Sequence, residues 1–133
     1  MKEIFEKYET IAVYGMSSNF EKAAFTVPGY MLKQGYNVIP INPTADKILK
    51  QKSYQKLSDI PDKIDILNIF RPAEEAEGIV KEAIARKKEK GDIELIWLQL
   101  GLTNEKAKQL AEENGIEYVE DKCIYVEHKK AKD

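Results

Sequence analysis

The sequence predicts an α/β chain, with a doubly wound, parallel five-stranded sheet and helices on both faces. Three observations carry that expectation. Short Ile- and Val-rich runs recur along the chain, stretches with helical spacing fall between them, and Gly, Pro, Asn or Ser residues close the runs. A strand that returns through a helix pairs in parallel with its predecessor by a right-handed crossover, which covers both faces of the sheet.

The first strand is Ile11-Ala12-Val13-Tyr14, an apolar run ended by Gly15. Such a run suits a strand buried on both faces. The others are Asn37–Ile41, Ile64–Phe70, Glu94–Leu98 and Ile116–Val119. Pro28 is expected in the first turn of a helix that runs to Gly35, because proline suits that turn and glycine a helix stop. In the third linker Ala76, Ile79, Val80, Ala83 and Ile84 form one apolar stripe. Pro72, Glu74 and Glu75 should occupy its first turn and Arg86, Lys87 and Lys88 its end, matching the helix dipole. Thr103 is placed to cap a fourth helix through Ala107, Leu110 and Ala111, stopped by Gly115. Residues 44–61 are expected to hold a short helix and a turn at Ser58-Asp59-Ile60-Pro61. Lys129-Lys130-Ala131-Lys132 reads as a solvated terminus. Together these elements describe a Rossmann-like fold, expected to span residues 1–133 as one domain.

Composition excludes several classes of function. Lysine and arginine number 21 against 23 acidic residues, so the net charge of -2 lacks the basic excess of a nucleic-acid binder. No apolar run reaches the roughly 18–20 residues of a membrane span, and the charged amino terminus lacks a secretory signal. A cytoplasmic location is expected. One cysteine, Cys123, and one histidine, His128, leave no internal disulfide and no multi-cysteine or histidine-based metal site.

In a doubly wound sheet, ligands bind beyond the carboxyl ends of the strands, where the winding reverses. The segments there are Gly15-Met16-Ser17-Ser18-Asn19, Asn42-Pro43, Phe70-Arg71-Pro72, Gln99-Leu100-Gly101 and Asp121-Lys122-Cys123. The first suits a diphosphate. Gly15 permits a tight turn, the amides and hydroxyls of Ser17 and Ser18 can donate to phosphate oxygens, and Lys22 adds a charge. The plainer alternative, a glycine that ends a strand with serines as loop residues, stands beside it. Two absences narrow the ligand. No G-x-G-x-x-G follows the first strand, and the second ends in Asn42-Pro43 rather than an acidic residue, which disfavours NAD. No G-x-x-x-x-G-K-[ST] loop is present to favour ATP.

At these positions the sequence resembles the small CoA-binding proteins whose domain also occurs in the CoA-binding part of succinyl-CoA synthetase. The matching segments are Ile11–Asn19, Val38–Pro43, Asp59–Pro61, Asp65–Arg71, Trp97–Gly101 and Asp121–Ile124, in order over nearly the whole chain. The resemblance implies coenzyme A as ligand. It implies that the Gly15, Met16, Ser17, Ser18 loop holds the diphosphate, with Lys22 near the phosphates. It implies that Asn42 and Pro43 form the wall beside the adenosine, and that Phe70, Arg71 and Pro72 line the adenosine and pantetheine side. Gln99, Leu100 and Gly101 match the loop near the pantetheine arm. Relatives often carry a basic residue after the Asn-Pro pair, where Thr44 stands here; Lys47, or Lys22 alone, is then the candidate for the 3′-phosphate.

Two readings follow. In the first, the chain holds CoA or an acyl-CoA without chemistry of its own. In the second it is an enzyme, either a thiol-redox protein that uses Cys123 against the CoA thiol or one part of an acyl-CoA ligase acting with a partner. Ligases of this kind need further domains with a phosphorylated histidine, and His128 lacks that setting. Free cysteines are commonly buried and inert, which is the plainer fate of Cys123. Trp97 and Tyr14 are expected to pack in the core, Phe70 to divide between packing and ligand, and Arg71 to meet a phosphate or pair with Glu74 or Glu75. His128 is expected to be solvated or capping. A nucleotide-binding structural protein is a third reading. Exposed edge strands leave room for a homodimer.

Overall fold

Five parallel strands form the sheet in the computed structural model, which describes residues 1–133. They are β1 (Thr10–Tyr14), β2 (Asn37–Ile41), β5 (Ile66–Ile69), β6 (Leu95–Leu98) and β7 (Glu117–Val119), in the order β2-β1-β5-β6-β7. β1 pairs with β2 through Ala12–Ile39 and with β5 through Ala12–Leu67. The winding therefore reverses between β1 and β5. Every residue of β5 and β6 is buried, as expected of strands covered on both faces. Pro40, which has no N–H to give, sits on the edge strand β2.

Helices α3 (Ala76–Lys90) and α4 (Glu105–Glu113) cover one face. Ala12, Ile39, Leu67, Ile69, Ile96 and Leu98 meet Ile79, Val80, Ala83, Ala107 and Ala111 there. The other face is covered by α1 (Lys2–Lys7), α2 (Ala23–Lys33) and α5 (Ile124–Lys132), over Val13, Ile66, Leu95 and Trp97. Trp97 lies in the core as expected, and its indole N–H donates to the carbonyl of Lys122 at 2.8 Å. No helix is long and apolar enough to cross a membrane.

Several local expectations are corrected. Pro28 lies inside α2, not in its first turn, because the helix begins at Ala23. A proline there leaves the carbonyl four residues earlier without its helical donor. That carbonyl, of Ala24, accepts instead from the Ser17 N–H at 3.1 Å. Pro72, Glu74 and Glu75 precede α3, the two glutamates in a 3-10 turn at Ala73–Glu75. Arg86 is not a solvated end charge. It is buried, with its guanidinium bonded to Asp92 and to the carbonyls of Leu57, Ile60 and Asp62. Asn104, rather than Thr103, caps α4 by accepting from the Ala107 N–H at 3.0 Å.

Residues 44–61 hold a hairpin of β3 (Lys47–Ile48) and β4 (Gln51–Lys52), followed by a 3-10 turn at Leu57–Asp59. Leu49 and Lys50 both take positive φ, as a two-residue hairpin loop demands. The expected lysine-rich tail is the end of α5. His128 is buried at 8% exposure, with its ring edge-on to Phe5, Tyr30 and Tyr36. The Tyr30 hydroxyl meets its Nδ1 at 2.8 Å. Burial, then the nearby Lys132 charge, lowers the His128 pKa.

Candidate functional site

The loops after β1 and β5 flank the point where the winding reverses. Gly15 ends β1 with φ +91, a conformation that side chains rarely adopt. A Cβ there would lie 2.8 Å from Arg71 Cδ and 2.9 Å from the Phe70 carbonyl oxygen. The missing side chain thus makes room for the stem of Arg71. Beyond it, the Arg71 guanidinium donates to Glu75 Oε1 and Oε2 at 3.1 and 2.7 Å. This hydrogen bonding raises the Arg71 pKa and lowers that of Glu75.

Two clefts meet at Arg71. The polar one, about 460 Å³, is lined by Gly15, Met16, Ser17, Lys22, Asn42 and Pro43, with Tyr14, Ile41, Gln55, Arg71 and Glu75. The apolar one, about 430 Å³, is lined by Phe70, Arg71, Pro72, Gln99, Leu100 and Cys123, with Ala23, Val27 and Leu102. A larger hollow of about 590 Å³ lies around Tyr36 and His128. It opens at the amino ends of the strands, away from the reversal of winding where this architecture places ligands.

The polar cleft is held by local bonds. Asn42 is fully engaged: its Nδ2 donates to the Met16 carbonyl, and its Oδ1 accepts from the N–H groups of Thr44 and Ala45. It pins the β2 turn to the β1 loop. The Ser17 amide is engaged with Ala24, and Ser17 Oγ accepts from the Asn19 N–H. Burial pushes the Tyr14 hydroxyl up to about 12, helped by its hydrogen bond to Glu82, so this phenol stays protonated at neutral pH. Lys22 immediately precedes α2 and reaches the cleft wall.

The apolar cleft has one fixed polar feature. Gln99 Oε1 accepts from Asn68 Nδ2 at 3.1 Å and from the Ile124 N–H at 3.0 Å, which starts α5. Asp121, at φ +56, accepts from the Gly101 N–H at 2.7 Å and so joins the loops after β6 and β7. Residues 9–129 match the family described as the CoA binding domain.

The chain belongs to that family.

The resemblance seen in the sequence is met, and the relatives carry it further. The uncharacterized protein YneT of Bacillus subtilis is 37% identical over 128 residues, 96% of this chain and 91% of that protein. Acetate–CoA ligase (ADP-forming) II of Archaeoglobus fulgidus is 33% identical over 102 residues; the match covers 75% of this chain but 15% of the ligase. A solved Thermus thermophilus protein superposes with a TM-score of 0.90 at 31% identity, covering 98% of this chain and 95% of that one. The Rossmann-like α/β fold is thus common to this chain and that solved protein.

Not every residue expected at the site lies in a cleft of this CoA-binding domain. Gly15, Met16, Ser17, Lys22, Asn42 and Pro43 come together in the polar one, and Phe70, Pro72, Gln99, Leu100 and Cys123 in the apolar one. Arg71 serves both. Lys47 sits on the hairpin, and Ser18 and Gly101 lie on their loops; none of the three lines either cleft. Sequence reasoning missed Glu75 and Gln55 in the polar cleft and Ala23, Val27 and Leu102 in the apolar one. Gln55 and Glu75 are distant from Gly15 along the chain and reach its cleft only in the fold, which local spacing does not show.

Proposed function

We propose that the chain binds CoA or an acyl-CoA across the carboxyl ends of its strands, without catalysis by this chain alone. One observation carries the reading: a polar cleft and an apolar cleft adjoin at Arg71. That pairing suits a ligand with a phosphorylated head and a long, less polar arm. The family match and the kinship with an acetate–CoA ligase support the same ligand. In this reading Lys22 and Arg71 face the phosphates, with Gly15 and Ser17 beneath them. Pro43 stands beside the adenosine, and Phe70, Pro72 and Leu100 line the arm. Because the match takes up 15% of the ligase, a partner enzyme that supplies the missing chemistry fits as well.

Calorimetric titration of ligand-stripped protein with CoA, dephospho-CoA, ATP and NAD tests the reading. CoA should bind most tightly of the four. A weaker response to dephospho-CoA would show that the 3′-phosphate is recognised despite Thr44. Binding of ATP or NAD with CoA silent would overturn the proposal and favour a general nucleotide binder.

A thiol-redox reading has one observation in its favour: half-buried Cys123 lines the apolar cleft. It requires that bound CoA slow alkylation of Cys123, and equal labelling rates with and without CoA would end it.

A further inference from the structure

We propose that Glu75 is a positioning residue, which holds Arg71 so that the free edge of its guanidinium takes the diphosphate of CoA. The inference rests on the CoA-binding reading above and adds how one cation of that site is kept in place.

Glu75 is the one carboxylate in the lining of the polar cleft, where Lys22 and Arg71 supply the positive charge. By charge alone a carboxylate there repels a phosphate, so any benefit to binding must pass through Arg71. A guanidinium carries five N–H donors in a rigid fork geometry. Glu75 takes one edge of it: Nε donates to Oε1 at 3.1 Å and Nη2 to Oε2 at 2.7 Å. The other edge, formed by Nη1 and the second N–H of Nη2, has no partner within the chain. A phosphate fits such an edge with two of its oxygens, as a carboxylate does. The pair is about half exposed, so this edge is hydrated when empty, and what the arrangement adds is order.

Arg71 is held at both ends. Its stem lies against Gly15, where even a Cβ would crowd it. Glu75 stands on the 3-10 turn Ala73–Glu75, closed by its own N–H on the Pro72 carbonyl at 2.9 Å. Asn104 Nδ2 ties that turn to the start of α4 through the Ala73 carbonyl, also at 2.9 Å. A long cation fixed in this way has little freedom left to lose on binding. Arg71 also stands where the polar and apolar clefts meet. In CoA the diphosphate joins the adenosine to the pantetheine arm, while the 3′-phosphate hangs from the ribose. The junction therefore suits the diphosphate.

The test is Glu75→Gln, titrated calorimetrically with CoA and dephospho-CoA beside the unmodified protein. Glutamine keeps the size of glutamate but offers one acceptor oxygen and no charge, so the two-point hold on Arg71 is lost. Affinity should fall about twofold to tenfold, the range for ordering one long side chain on binding, and by the same factor for both ligands. Charge alone demands the reverse, because a repelling carboxylate has gone. Unchanged or tighter binding would overturn the inference. So would a loss confined to CoA, which would put the 3′-phosphate on Arg71. An exposed pair of this spacing adds little stability, so the melting temperature should barely move. Arg71→Gln, which keeps the stem atoms beside Gly15, should weaken CoA at least as much. Adding Glu75→Gln to it should cost nothing more; a further loss of the same size would mean that Glu75 acts without Arg71, against the inference. If the unmodified protein fails to bind CoA, the CoA-binding reading fails instead, so the two failures are distinguishable.

Discussion

Arg71 lies across Gly15, so the loops after β1 and β5 fit together only because position 15 has no side chain. Their contact sits where the winding reverses, between the polar and apolar clefts. The glycine thus answers two demands at once: a positive φ and a close approach.

Gly15→Ala should therefore cost more than strain alone. Gly101 has a similar φ of +86, but a Cβ there would meet nothing within 4 Å. Gly101→Ala should lose about 1–2 kcal/mol of stability from backbone conformation. Gly15→Ala should lose more and weaken CoA as well, because Arg71 must move. Urea unfolding with calorimetry on both variants checks this, and equal losses would remove Arg71 from the explanation.

Pro28 holds the first-strand loop indirectly. Pro28→Ala restores a helical N–H that competes with Ser17 for the Ala24 carbonyl. The helix should be no less stable, while the Ser17 amide exchanges with solvent about fivefold faster, as loss of a bond worth about 1 kcal/mol would give. Hydrogen exchange followed by NMR measures it. An unchanged Ser17 rate would show that the loop is held by other contacts.

Arg86 is the largest single electrostatic commitment in the fold. Its Nη2 lies 3.0 Å from Asp92 Oδ2, and both side chains are almost wholly buried. Arg86→Met should destabilise by about 3–5 kcal/mol, since Asp92 would be left charged and unpaired. Adding Asp92→Leu should recover part of that loss. A double variant no better than the single one would place the cost in the lost carbonyl contacts of Leu57, Ile60 and Asp62.

His128 should make stability depend on pH. Its pKa in the fold lies below the ordinary 6.5, so the unfolded chain binds the proton more readily. The contribution is fully present above about pH 6.5 and falls away as pH drops through the lowered folded value. Protonation makes both ring nitrogens donors, so the Tyr30 hydroxyl beside Nδ1 must then act as the acceptor. Melting temperature measured from about pH 8 down to about pH 5 should fall for the wild type and flatten in His128→Gln. Parallel curves would assign the slope to another group.

Much of this was legible in the sequence. The strands stood out because β5 and β6 are buried on both faces and so read as unbroken apolar runs. Their carboxyl ends then pointed to the loops that line the two clefts. What stayed hidden depends on partners distant along the chain. His128 looked solvated between Glu127 and Lys129, but Phe5, Tyr30 and Tyr36 enclose it. Arg86 looked like a helix-end charge because nothing local shows that it reaches back to Leu57 and Ile60. The start of α2 was missed because proline's preference for a first turn is real but yields where a loop supplies the orphaned carbonyl with a donor. Gln99 was recognised by position, while its fixed orientation depends on Asn68 and Ile124, both distant in sequence.

Trp97 turns the buried core into an optical gauge. It is the single tryptophan, and its indole N–H is anchored on Lys122, the residue before Cys123 in the cleft wall. A ligand that shifts that wall is expected to reach the indole through this one hydrogen bond, so a change of intrinsic emission on titration would report it without any attached dye. The ring is fully buried, so emission that stays unquenched by a water-borne quencher distinguishes a change in the wall from unfolding.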